Sequence, residues 1–261
     1  MSVKNAFYAQ SGGVTAVINA SACGVIETAR KHGDKIGTVY AGRNGIIGAL
    51  TEELIDTSKE SDENIAALKT TPSGGFGSCR FKLKSLEDNR REYERLIEVF
   101  KAHNIGYFFY NGGGDSADTC YKVSQLSEKM GFPVQAIHVP KTVDNDLPIT
   151  DNCPGFGSVA KYIAVSTLEA SYDVRSMAAT STKIFVIEVM GRHAGWIAAA
   201  GALVEDYGIP VVTLFPEVEF NQEKFLAVVD AKVKEHGYCS IVVSEGAHWP
   251  DGKFLAEQGT R

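Results

Sequence analysis

The sequence predicts an α/β protein with a mostly parallel sheet and crossover helices. Three observations carry that expectation. Short apolar runs alternate with helix-period segments along the 261 residues. The chain holds 26 glycines, many of them directly after the strand-like runs. Four of those runs end in a Gly-rich or charged turn: Ser11-Gly12-Gly13, Gly112–Ser116, Lys141–Asp146 and Met190–Gly195.

Ala6–Ala9 reads as the first strand, followed by the tight turn Ser11-Gly12-Gly13. Thr15–Lys31 is a helix with Val17, Ala20, Val25 and Ala29 available to a buried face. Ile36–Ala41 is a second strand, and Ser61–Lys69 a short helix capped by Ser61. Thr70–Arg80 is a Gly/Ser/Thr loop. Asn89–His103 sets Tyr93, Leu96, Ile97 and Phe100 on one side of a helix. Strand Ile105–Tyr110 runs into the turn Asn111–Ser116, and a helix over Ala117–Met130 follows. Val134–Val139 is the next strand, ending in Pro140–Asp146. A helix over Gly157–Met177, strand Lys183–Val189, a helix over Trp196–Glu205 and strand Pro210–Leu214 come next. A helix started by Asn221 and running to His236, then strand Ser240–Ser244, complete the order. Pro148, Pro154 and Gly155 cluster, so a break is expected near Asp144–Pro154, with domains 1–145 and 146–261.

Composition excludes several classes. Hydrophobic residues make up 44%, which argues against disorder. A net charge of −6 gives no basic footprint for nucleic acid. No apolar run reaches the roughly 18 residues of a membrane span. Met1-Ser2-Val3-Lys4-Asn5 leads straight into a strand-like run and does not read as a signal peptide. The five cysteines lie far apart without a CxxC pair, which suits reduced thiols in a cytoplasmic protein. The six histidines show no metal-ligand spacing.

The turns carry the chemistry. Parallel sheets place ligands at the carboxyl ends of their strands. Asp144 and Asp146 sit just past one such end, with Lys141 three residues before Asp144. A carboxylate there can take a proton from a hydroxyl, and a lysine can hold a phosphate. Gly112-Gly113-Gly114 gives backbone access to an anion, and Ser116 can cap the following helix or donate to a phosphate. Arg80 and Arg192 offer planar forks that match phosphate oxygens. Glu245 can accept hydrogen bonds from sugar hydroxyls. Neither GxxxxGK[ST] nor GxGxxG occurs, so P-loop and dinucleotide chemistry have no support.

Together these pieces resemble the phosphofructokinase family, the group containing both ATP- and pyrophosphate-dependent enzymes. The matching residues are Ser11-Gly12-Gly13 with Ile18-Asn19-Ala20, Gly77-Ser78-Cys79-Arg80, Gly112–Ser116, Pro140–Asp146, Glu188–Arg192, Phe215-Pro216-Glu217 and Ser244-Glu245-Gly246. The resemblance implies two Rossmann-like three-layer αβα domains, the second incomplete. It implies phosphoryl transfer to the 1-hydroxyl of fructose 6-phosphate with Mg²⁺ present. Asp144 would be the general base, Asp146 would position Mg²⁺ or the hydroxyl, and Thr142 would bond the phosphoryl in transfer. Met190, Gly191, Arg192 and Glu245 would bind the sugar phosphate. Lys183 stands where many relatives carry an arginine that reaches a neighbouring subunit, which implies a homo-oligomer. Gly12, Gly13, Arg80, Gly113, Gly114, Asp115 and Ser116 would hold the donor, with domain 1–145 binding donor and domain 146–261 binding sugar phosphate.

Two departures bear on the donor. ATP-dependent relatives usually read GGDGS where this chain has Gly112–Ser116, so Asp115 adds bulk and negative charge where a nucleotide's α-phosphate would sit. They usually read PGTxDND where this chain has Lys141, whose ammonium suits pyrophosphate. Both point to pyrophosphate; ATP use, or a truncated phosphate-binding subunit without catalysis, are the alternatives. Gly114 falls where an aspartate often serves Mg²⁺, so Asp115 and Asp146 are the expected metal-side carboxylates. The sequence stops about sixteen residues after Glu245, whereas family members usually run on by a hundred or more.

Overall fold

The computed structural model describes residues 3–85 and 87–259; Met1, Ser2, Leu86, Thr260 and Arg261 lie outside the described residues. The chain forms two compact units, Met1–Thr142 and Val143–Arg261.

The first unit runs β1 (Lys4–Gln10), α1 (Ile18–Lys31), β2 (Ile36–Gly42), α2 (Ile47–Leu50), β3 (Leu54–Asp56), α3 (Asp62–Ala67), α4 (Arg90–Ala102), β4 (Ile105–Gly112), α5 (Gly114–Lys129) and β5 (Gln135–Pro140). The strand order is β3-β2-β1-β4-β5. All neighbours pair parallel except the short edge strand β3, which runs antiparallel to β2. Alternation along β1 explains the two cores. Phe7 and Ala9 face Tyr93, Leu96, Ile97 and Phe100 of α4 and Cys120 and Val123 of α5. Ala6 and Tyr8 face Ala22, Cys23 and Ile26 of α1 and Ile65 of α3. A central strand buried on both faces is what a parallel sheet requires. Chain order departs from β1 to β2 on one side and returns to β4 on the other, so the topological switch point, where sheets of this kind bind ligands, falls between the carboxyl ends of β1 and β4.

The second unit contains α6 (Phe156–Met177), β6 (Ile184–Val189), α7 (Trp196–Ala202), β7 (Val211–Leu214), α8 (Gln222–His236) and β8 (Cys239–Ser244). Its sheet is wholly parallel, in the order β6-β8-β7. One face is covered by α6 and α7 through Ile163, Val174, Ile197 and Ala198. The other is covered by α8 through Phe225, Val229 and Val233 against Val212, Cys239 and Ile241. That second cover stops short of β6, where Ile184 and Val186 remain 43% and 55% exposed. A hollow of about 290 Å³ lies there, lined in part by Val186, Phe225, Ile241 and Leu255.

The expected elements form, with four differences. The helix expected from Thr15 begins at Ile18 after Val17 as N-cap, and it buries Ile18, Ala22, Cys23, Ile26 and Ala29, so of the face expected for it only Ala29 is buried. The helix expected from Ala117 begins at Gly114, because Gly113 takes an extended N-cap conformation and Asp115 complements the dipole of the first turn. Ser116 therefore lies inside the helix rather than at its cap. The helix after Gly195 ends at Ala202 and tightens into a 3₁₀ turn over Leu203–Tyr207. α2 and β3 are four and three residues long, too short for a periodic signal. Ser61 and Asn221 do cap their helices, accepting from the Asn64 and Lys224 amides. All five cysteines are free thiols, and no helix among the described residues is long and apolar enough to cross a membrane.

Candidate active site

In the first unit, the turn after β1 is tied on two sides. The Ser11 amide donates to the Asn111 carbonyl at 2.8 Å, and the Gly12 amide donates to the Cys79 carbonyl at 2.8 Å. The Ser78 hydroxyl donates to the Gly12 carbonyl at 2.7 Å. Gly12 has φ +76°, which a side chain would oppose. A Cβ at Gly12 would stand 3.3 Å from Lys141 Nζ, and one at Gly13 3.4 Å from an Arg80 guanidinium nitrogen. Two cations thus lie beside two consecutive glycines, with no glycine side chain between.

The start of α5 joins this group. Lys141 is 5% exposed, and its amide donates to the Gly112 carbonyl at 3.0 Å. A Cβ at Gly113 would stand 3.6 Å from the Lys141 carbonyl oxygen. The start of the helix therefore lies next to the lysine-bearing strand end, the arrangement that binds phosphate elsewhere, although the Ser116 amide already donates to the Gly113 carbonyl at 3.0 Å. Ser116 is buried, with its hydroxyl packed against Gly112, where a Cβ would come within 2.0 Å of it. Nearby Tyr110 is pushed above the usual tyrosine range by burial, opposed by a hydrogen bond with Ser11. It stays protonated and so adds no negative charge beside the turn.

Asp115 is exposed, and its carboxylate accepts a hydrogen bond from Lys82 Nζ at 2.8 Å. This ion pair holds the Lys82 ammonium above its ordinary value. Sequence reasoning missed Lys82. Its ammonium offsets part of the Asp115 charge locally. Of the remaining residue expected here, Thr142 is half-buried at the end of the unit.

In the second unit, Asp144 and Asp146 flank a residue that sequence reasoning passed over. Asn145 is buried and holds φ +57°, a conformation asparagine tolerates. Its Oδ1 accepts from the Cys153 amide at 2.7 Å, and its Nδ2 donates to the Asp151 carbonyl at 3.2 Å. Val143 packs against the α6–α7 core. The two aspartates thus sit on a pinned loop, with Asp146 exposed.

The adjacent ends of β6 and β8 build the other cluster. The Glu245 amide donates to the Val189 carbonyl at 2.8 Å. Glu245 Oε1 accepts from the Gly191 amide at 3.4 Å, and Oε2 lies 3.9 Å from Arg192 Nη2. The Ser244 hydroxyl donates to the Gly191 carbonyl at 2.5 Å. Gly246 is required sterically, since a Cβ would fall 1.9 Å from the Arg192 carbonyl oxygen. Met190 is 52% exposed beside them. Glu217, another residue without an expected role, accepts from the Gly195 amide at 2.7 Å. Lys183 does not join this group. It precedes β6, whereas Gly191 and Arg192 follow it, and six strand residues span about 20 Å. Its ammonium instead donates to the Ala178 carbonyl at the end of α6.

Among the described residues, no three His, Cys, Asp or Glu side chains are grouped to hold a metal ion.

A doubly wound parallel sheet with cation-flanked glycines at one switch point, and a Gly-Arg/Glu pair at the ends of a second parallel sheet, fit one class. The chain belongs to the phosphofructokinase family, whose profile, described as Phosphofructokinase, matches residues 5–261. It is 75% identical over 263 residues to the pyrophosphate–fructose 6-phosphate 1-phosphotransferase of Methylococcus capsulatus, a match covering 100% of this chain and 63% of that protein. The protein of the same name from Halomonas elongata is 72% identical over 261 residues, covering 99% of this chain and 62% of its own. The crystal structure of pyrophosphate-dependent phosphofructokinase from Nitrosospira multiformis superposes with a TM-score of 0.91 at 76% identity, covering 97% of this chain and 63% of that one. The chain spans a little under two thirds of the length of the relatives it matches.

Proposed function

We propose that this protein transfers a phosphoryl group reversibly between pyrophosphate and the 1-hydroxyl of fructose 6-phosphate. The observation that carries the donor choice is the buried Lys141 ammonium against Gly12, with the Asp115 side chain on the first turn of α5. A lysine side chain at that point fills space and adds a positive charge, which suits a small, highly charged inorganic donor better than a nucleotide. The names of the relatives above support the same reading.

In this reading the first domain, 1–145, holds pyrophosphate through Gly12, Gly13, Arg80, Lys141, the amides of Gly113–Asp115 and the Ser116 side chain. The second domain, 146–261, holds fructose 6-phosphate through Met190, Gly191, Arg192 and Glu245. Asp144 takes the hydroxyl proton as the sugar oxygen bonds to phosphorus. The bridging P–O bond of pyrophosphate breaks, inorganic phosphate leaves, and Thr142 steadies the group in transfer. Mg²⁺ would arrive on the pyrophosphate oxygens and neutralise part of their charge, with the exposed carboxylates of Asp115 and Asp146 available to it. Lys183 stands at the far end of β6, a position suited to serving a neighbouring copy in a homo-oligomer. The protein works in the cytoplasm.

The test is a coupled assay of fructose 1,6-bisphosphate formation with pyrophosphate and ATP in parallel. Turnover with pyrophosphate and little with ATP is expected. Turnover with ATP and none with pyrophosphate refutes the donor assignment.

A further inference from the structure

We propose that Asn19 is a positioning residue for the phosphoryl donor: it fixes the Gly-rich loop of residues 71–80 and, through that loop, the Arg80 guanidinium. The inference rests on the reading of Arg80 as a donor-binding group.

Asn19 lies in the first turn of α1 and is fully buried. Its side chain makes no contact expected of a donor ligand. Its three hydrogen bonds go to the backbone of a distant loop and to a neighbouring side chain. Oδ1 accepts from the Gly75 amide at 2.7 Å and from Gln10 Nε2 at 3.1 Å. Nδ2 donates to the Thr71 carbonyl at 2.9 Å. The partners Thr71 and Gly75 lie 52 and 56 residues along the chain. One buried amide therefore pins both ends of a single loop turn to the start of α1.

The loop needs such a tie. Its segment Ser73-Gly74-Gly75-Phe76-Gly77 holds three glycines, with left-handed backbone at Ser73 and Gly77. It contains no helix or strand of its own. Its far end is tied through Ser78 and Cys79 to Gly12, and Arg80 follows immediately, over Gly13. Without the Asn19 tie the loop keeps that far end and the Asn44 amide, which donates to the Phe76 carbonyl at 2.9 Å, but loses its hold at Thr71 and Gly75.

The holder is itself held. Gln10 Nε2 also reaches Tyr8 Oη at 3.3 Å, and Asn111 Nδ2 donates to Tyr8 Oη at 2.8 Å and to the Ile18 carbonyl at 3.1 Å. The ends of β1 and β4 and the start of α1 thus share one buried polar network with the loop. Gln10 Oε1 and Asn111 Oδ1 are buried in it without a hydrogen-bond partner, so its hold on the loop runs through the bonds named here.

The experiment compares the 261-residue protein with Asn19→Ala, Asn19→Asp and Arg80→Ala. Limited trypsin digestion under native conditions, read by mass spectrometry, follows cleavage after Lys69, Arg80 and Lys82. Titration calorimetry follows pyrophosphate binding, and initial rates give KM for each substrate. Asn19→Ala is expected to speed cleavage in the loop about tenfold with other sites unchanged, and to weaken pyrophosphate about tenfold with KM for fructose 6-phosphate unmoved. Asn19→Asp keeps the acceptor for Gly75 and should fall between wild type and Asn19→Ala; it carries the comparison if the alanine variant does not fold. Adding Asn19→Ala to Arg80→Ala should cost little further affinity. Unchanged loop cleavage overturns the tether. Faster cleavage with pyrophosphate binding intact, where Arg80→Ala weakens it, overturns the positioning role. Absence of pyrophosphate affinity in the wild type and all variants overturns the donor-site reading itself, and the functional half of this inference with it.

Discussion

Replacing Gly246 by alanine is expected to damage sugar-phosphate handling while leaving donor handling intact. The added Cβ would lie 1.9 Å from the Arg192 carbonyl oxygen, 2.6 Å from its carbon and 2.9 Å from its Cα. Real contacts at Cβ essentially never fall below 3.0 Å, so the Arg192 backbone must retreat by at least 1.1 Å (3.0 − 1.9). Gly246 does not hold a left-handed φ, so the cost is steric rather than torsional. Overpacking of this kind costs about 1–3 kcal/mol of stability. A displacement near 1 Å of a substrate-positioning group lowers efficiency by about 100-fold. We therefore expect kcat/KM for fructose 6-phosphate to fall by about two orders of magnitude, with KM for pyrophosphate changed less than about threefold. Initial rates with each substrate varied at saturation of the other, beside a circular dichroism spectrum matching wild type, make the measurement. Full efficiency toward fructose 6-phosphate in a folded Gly246→Ala protein refutes the placement of Arg192 in the sugar pocket.

Asp144→Asn removes the proposed base with little change of shape, and kcat should fall about 10²- to 10⁴-fold in the same rate assay; an unchanged kcat would assign the proton elsewhere. Burial pushes the Cys120 thiol from 9.0 up to about 12, and the Tyr8 hydroxyl from 10.0 up to about 12. Both groups stay protonated in the fold, while the unfolded chain releases those protons from about pH 9 upward, so stability falls between about pH 9 and 12. Cys120→Ala should flatten the decline of the urea midpoint over that window, and an unaltered decline would remove the thiol as a contributor.

Much of the architecture was readable because parallel strands buried on both faces announce themselves as apolar runs, as in Ile105–Tyr110 and Ser240–Ser244. The helix starts at Ser61 and Asn221 were readable because their side chains cap locally. The first turn of α5 was not, since Gly-Asp-Ser favours turns in isolation and becomes helical only when Gly113 and the strand end fix its entry. The same division runs through the candidate site. Gly12, Gly13, Arg80 and Lys141 could be named from the resemblance, and the folded chain does gather them. Lys82, Asn19 and Asn145 could not be assigned roles, because their work depends on partners that only folding brings near: Asp115 is 33 residues from Lys82, and Gly75 is 56 from Asn19. Asn145 was overshadowed by its acidic neighbours, though a polar residue between two carboxylates in a Pro-rich loop was the available signal.

The half-bare sheet of the second unit has a bearing on any stability measurement. Ile184 and Val186 leave apolar area in contact with water, and burying such area yields about 25 cal/mol per Å². An unfolding free energy obtained on the 261-residue chain therefore sets a floor. The same strands with that flank occupied, by whatever chain, would melt later.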